Sequence, residues 1–195
     1  MLAFIGLQPF VKVSDLTRDV STINGGKFYY GFLSSIGILL WCSTATICLA
    51  FTYLLFKMNI KINAFVFCAG LLTTMLLFDD LFLIHEYVAP KRLGISEEIV
   101  KAIYPSAILL FLIFFREQIF SSSYFVFLSS LGFLALSIVI DSFIPQNMPH
   151  QYLFEDGFKF MGIVGWFYYL SSTCYTLSKN TLVKQNQEEH MVINQ

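Results

Sequence analysis

The apolar positions of this chain fall into long runs separated by short clusters of charge, glycine and proline. A membrane-spanning helix needs roughly 20 mostly apolar residues. Reading from one cluster to the next predicts five such spans, at about 28–56, 62–87, 97–115, 123–141 and 150–177. Gly25-Gly26 precedes the first, Lys57 and Lys61 separate it from the second, and Pro90 ends the second. Ser96 followed by Glu97 and Glu98 has the form of a helix start for the third. Pro105 is its expected kink and Arg116-Glu117 its end. The fourth closes at Asp141 ahead of Pro145, and Glu155, Asp156 and Lys159 fall in the first turns of the fifth. The predicted fold class is all-α: an integral membrane bundle of five transmembrane helices over residues 28–178. An N-terminal interfacial or extramembrane segment, residues 1–27, precedes it. A polar tail, residues 179–195, follows, with a composition that predicts disorder.

Composition supports the membrane class. Hydrophobic side chains make up 56% of the 195 residues and charged ones 13%, against roughly a quarter charged in soluble domains. The formal net charge of −1 offers no basic face for nucleic acid, so the expected partner is the lipid bilayer, joined by a second copy of the chain or a membrane protein. Met1 to Val11 is largely apolar, but no basic region precedes it, Lys12 interrupts it and no small-residue cleavage site follows. It therefore reads as an interfacial segment rather than a leader. Cys42, Cys48, Cys68 and Cys174 all lie inside apolar runs without CxxC spacing, which favours small packing residues over a disulfide framework or a zinc ribbon. Gly31-xxx-Ser35, Gly70-xxx-Thr74 and Gly162 with Gly165 are small-residue patches of the kind that lets helices approach closely.

Sorting the charges by side of the membrane changes the picture more. Successive spans alternate in direction, so the end of the second, the start of the third, the end of the fourth and the start of the fifth share one level. That level collects Asp15, Asp19, Asp79, Asp80, Glu86, Glu97, Glu98, Asp141, Glu155 and Asp156, ten of the 13 acids, with His85 and His150. Loop lysines and arginines divide evenly, five on each side, so the positive-inside rule leaves the orientation open.

Within this cluster, Asp79 and Asp80 follow only about 17 mostly apolar residues, near the edge of the hydrocarbon. A lipid-facing carboxylate there costs on the order of 2–3 kcal/mol, so both are expected to face the bundle interior. With helical spacing, Asp79 and Glu86 lie on nearly the same stripe and His85 points between stripes, nearer Phe78. Asp79, Asp80, His85, Glu86, Glu155 and Asp156 form an oxygen-rich set with one imidazole. This set suits a divalent cation such as calcium, magnesium, manganese or zinc. Each residue also has a plain structural explanation. Glu155 and Asp156 offset a helix dipole, and Glu155 pairs with Lys159 at i, i+4. Asp141, at a helix end, marks the interface or caps the following turn, and Asp79 or Asp80 pairs with Lys159 or Lys101 of another helix.

The strings Phe78-Asp79-Asp80-Leu-Phe-Leu-Ile-His85-Glu86, Glu155-Asp156-Gly157-Phe-Lys159-Phe-Met-Gly162 and Tyr30-Gly31-Phe-Leu-Ser-Ser-Ile-Gly37 resemble a family of small bacterial multipass membrane proteins. The resemblance implies a bacterial inner-membrane location and brings no assigned activity. The pattern differs from membrane hydrolases of the alkaline ceramidase type, because their paired histidines are missing.

Three functional classes follow. The first is a membrane-embedded metal site acting on lipid head groups, with Glu155 or Asp156 as further ligands or general base. The second is an oligomeric cation or proton channel or transporter in which the acids form a ring and Asp79 accepts the gating proton. The third is an accessory or scaffold subunit whose acids pair with a partner's basic residues.

Overall fold

The computed structural model describes residues 25–27, 29–143 and 151–193; within these, the side chains of Glu86, Glu97, Glu98, Lys101 and most residues from 184 onward fall outside the description. The segment 1–24 expected at the interface, and His150, also lie outside the described residues. The described chain is all-α. Helix α1 spans Phe32–Lys57, α2 spans Ala64–Phe82, and a π-helical segment follows at Ile84–Leu93. Then come α3 at Glu97–Phe120, α4 at Tyr124–Phe143 and α5 at Gln151–Ile193.

Among the described residues four helices are long and apolar enough to cross a membrane: α1, α2, the 102–120 part of α3, and α4. The expected fifth span belongs to α5, and here the expectation is corrected. Its central stretch is diluted by Tyr168, Tyr169, Ser171, Ser172, Thr173, Tyr175 and Thr176, and the reason is its position. Helix α5 packs along both α1 and α4, so one face meets protein rather than lipid. That face supplies Ile163, Trp166, Tyr169, Leu170 and Cys174 to the core. Two of the hydroxyls in this stretch have partners: Tyr169 meets Ser122 at 2.8 Å and Thr173 donates to the Tyr169 carbonyl. The helix also continues through the polar stretch beyond Lys179 to Ile193, where composition alone predicts disorder.

Close approach is achieved where the small residues lie. A Cβ on Gly162 would sit 2.6 Å from Leu134 Cγ, and one on Gly165 would sit 2.9 Å from Ser130 Cβ. Ser130 Oγ uses the gap to donate to the Gly162 carbonyl at 2.6 Å. Gly70 meets Leu49 and Cys48 of α1 in the same way. Gly31 differs from the expected packing role: it is the left-handed residue that starts α1, with open space around it. Trp41 and Trp166 meet edge to face at 5.8 Å in the core, with Trp166 Nε1 donating to Thr73 Oγ1. Cys48 and Cys174 are buried free thiols with their sulfurs 3.9 Å apart.

Two further boundaries differ from the sequence reading. Helix α3 runs on through Pro105, and its irregular backbone lies at Phe115, directly before Arg116. Ser96 is its N-cap but makes no side-chain cap bond. At α2 the N-cap is Asn63, whose side chain accepts from the Val66 N–H.

A candidate acid–base cleft

Helix α2 does not continue to Tyr87. It stops at Phe82, and Leu83 takes a left-handed conformation with φ 50° and ψ 48°. Ten residues of π-helical winding then run to Leu93. The cause is local. An α-helix continued through this stretch would place Pro90, which has no N–H, against the carbonyl of Glu86. The chain breaks beforehand, and the Leu83 carbonyl accepts from both Tyr87 and Val88 N–H groups. Gly94, also left-handed, closes the segment.

This break builds the site. Asp79, at the last α-helical turn, accepts from the backbone N–H of His85 at 3.0 Å, and its other oxygen lies 2.6 Å from His85 Nδ1. Tyr104 of α3 donates its hydroxyl to Asp79 at 2.6 Å. The carboxylate is buried, and three donors converge on it, which makes it an acceptor and puts the imidazole proton on Nδ1. His85 is therefore held in one ring orientation and one tautomer by a group on the neighbouring element.

Asp80 faces the other way. It accepts from Lys159 Nζ of α5 at 2.7 Å and from Trp41 Nε1 of α1 at 2.8 Å. This is the interhelical ion pair that the sequence offers as the structural explanation of Asp79 and Asp80. It has Lys159 as the partner and Asp80 as the acid. The trio ties α1, α2 and α5 together at one level.

Both groups open on a cleft of about 140 Å³. Asp79, Asp80, His85, Asp141, Glu155 and Lys159 line its polar side, with Tyr104 and Ser137. Leu76, Ile108, Leu134 and Ile138 line an apolar side. Glu155 and Asp156, interchangeable on paper, separate here: Glu155 faces this cleft, whereas Asp156 is exposed and lines a smaller crevice against α1. The Glu86 side chain lies outside the description. Among the described residues no three His, Cys, Asp or Glu side chains are gathered as a ligand set for one ion.

Sequence reasoning missed Tyr104, Trp41 and Ser137. A usable signal existed for the first two. A phenol or an indole deep in an apolar helix carries a donor that must find a partner, and the nearby unpaired acids were the available acceptors.

A family model described as a domain of unknown function (DUF8692) matches residues 1–173. No curated protein and no solved structure matches the chain.

Proposed function

The chain belongs to this DUF8692 family, and because that description assigns no activity, we propose one from the cleft itself. In this reading the protein is a multipass membrane protein whose acidic cleft receives a positively charged lipid head group, and His85, held by Asp79, accepts a proton from the bound molecule. The observation that carries it is the double hydrogen bond from His85 to buried Asp79 at the edge of a cleft that is acidic on one side and apolar on the other. A carboxylate that accepts from imidazole Nδ1 orients the ring and stabilises its protonated form, which is the arrangement general-base chemistry uses. Among the described residues, four carboxylates against one lysine line the cleft, which favours a cation. The apolar wall favours a ligand with a hydrocarbon part.

A divalent cation bound by Asp79, Asp80, His85, Glu86, Glu155 and Asp156 has less support. Asp79 is already engaged by Tyr104 and His85, and Asp80 by Trp41 and Lys159. A metal ion would have to displace these donors from one buried and one largely enclosed carboxylate. The bacterial inner membrane belongs to the proposal as its expected location, on the motif resemblance alone.

The test is lipid selectivity and turnover. The full chain is reconstituted in nanodiscs containing equal amounts of phosphatidylethanolamine and phosphatidylglycerol, then stripped and weighed by native mass spectrometry. Retention of the amine lipid over the glycerol lipid is expected, reduced in Asp79→Asn. Equal retention of both lipids by the folded parent protein would falsify the reading. Head-group turnover that persists in His85→Ala would remove the proton-accepting role.

A further inference from the structure

The ion pair between Lys159 and Asp80 stands between two cavities. Asp80 and Lys159 line the main cleft, and the same two residues line the smaller crevice between α1 and α5, which Asp156 also borders. The crevice holds about 30 Å³, roughly one ammonium group or water. Among the described residues, Lys159 is the only lysine or arginine lining the main cleft. Its side chain is 37% exposed, while that of Asp80 is 11% exposed.

Resting on the cation-binding reading above, we propose that Lys159 is a tethered occupant of the ligand's ammonium position: an organic ammonium on an apolar chain displaces it from Asp80, and the displaced side chain swings to Asp156. The near-enclosure of Asp80 supplies the selectivity. Removing Lys159 from Asp80 without a replacement leaves a carboxylate in a poorly hydrated site with only the Trp41 N–H, which is costly. A neutral ligand therefore cannot displace it. A cationic ligand exchanges one charge pair for another, and Trp41 keeps Asp80 in place during the exchange. The destination is within reach. Asp156 lies three residues before Lys159 on the same helix face, and a lysine stem has four rotatable bonds. Asp156 makes no hydrogen bond or ion pair among the described residues, and it is exposed, so receiving the ammonium requires no second displacement.

The proposal is tested by calorimetric titration of the full chain in maltoside micelles with hexylammonium, using hexanol and tetramethylammonium as tail-only and head-only controls. Lys159→Gln is expected to bind hexylammonium about tenfold tighter than the parent, because no internal cation has to leave. Lys159→Arg is expected to bind it several-fold weaker, because a guanidinium holds a carboxylate through two donors. That second variant carries the test if the first fails to fold. Asp156→Asn is expected to weaken binding in the parent and to leave it unchanged in the Lys159→Gln background. Equal weakening in both backgrounds, or parent-like affinity in both Lys159 variants, would overturn the tethered-occupant role while leaving cation binding intact. Hexanol binding as tightly as hexylammonium in every variant would instead overturn the cation-binding reading on which this one rests.

Discussion

Asp79 and His85, six residues apart, are joined twice: the backbone N–H of His85 meets one carboxylate oxygen at 3.0 Å and its Nδ1 meets the other at 2.6 Å. Six residues of regular α-helix would turn the two side chains well away from each other. The left-handed Leu83 and the wider winding after it reverse that, so the carboxylate caps the new segment and orients its first polar side chain in one contact.

Removing the acceptor should therefore affect both stability and the imidazole. Asp79→Asn keeps the shape but offers one acceptor oxygen where three donors converge, and a loss of about 1–3 kcal/mol is expected. Tyr104→Phe removes one donor and should cost about 1 kcal/mol. Thermal unfolding in detergent, followed by tryptophan fluorescence, measures both. Nitrogen NMR of the histidines, of which the chain has 3, should show a fixed Nδ1–H tautomer for His85. Asp79→Asn should abolish it, and an unchanged signal there would contradict the assignment.

Leu83 itself carries a local cost, since an L-residue in the left-handed region is disfavoured by roughly 1–2 kcal/mol. Leu83→Gly relieves that cost but adds freedom to the unfolded chain, so a net change within about 1 kcal/mol is expected. Leu83→Ile, branched at Cβ, should lose about 1–2 kcal/mol more and loosen His85 from Asp79. Denaturation midpoints of the two variants decide it, and Ile tolerated as well as Gly would mean that the turn is not fixed.

How far these features were visible beforehand depends on the range of the interaction. Span positions and the gathering of acids at one level follow from apolar run length and alternation of direction, which are local and additive. The Asp80–Lys159 pair was accessible on the same logic, since both residues fall at that level and a membrane acid needs a partner. His85 was misplaced because one residue at Leu83 leaves the helical period, and a stripe argument has no means of anticipating it. Asp156 was grouped with Glu155 because adjacent acids look alike until the rotation of α5 against α1 and α4 is known. The fifth span was overcounted for a related reason: its apolar residues serve a protein interface, where fewer of them suffice.

At Gly162 the backbone of α5 approaches α4 closely enough that a methyl group meets Leu134 side-chain and backbone atoms at 2.6–3.0 Å. Gly162→Ala should cost about 1–3 kcal/mol through overpacking. Gly132, on α4 with nothing near its missing Cβ, provides the control. Gly132→Ala should be neutral or stabilising by up to about 1 kcal/mol. Equal effects at the two positions, in the same unfolding assay, would show that helix propensity rather than contact governs both.

The last prediction concerns an asymmetry within the Asp80–Lys159 pair. Lys159 is more than a third exposed and reaches water through a flexible stem, whereas Asp80 is almost enclosed. Asp80→Asn leaves a lysine that can turn to solvent or to Asp156, so its cost should be small, under about 1 kcal/mol. Lys159→Met leaves the carboxylate in place with Trp41 as its remaining partner, and a loss of about 2–3 kcal/mol is expected. The double variant Asp80→Asn with Lys159→Met removes both charges and should recover most of that loss, giving a coupling of about 1–2 kcal/mol in a double-mutant cycle. Unfolding midpoints at low and high salt complete the measurement. A coupling that disappears with added salt would mark the pair as solvent-screened, whereas one that persists places the carboxylate in the poorly hydrated interior where exchange of one ammonium for another is favoured over its loss.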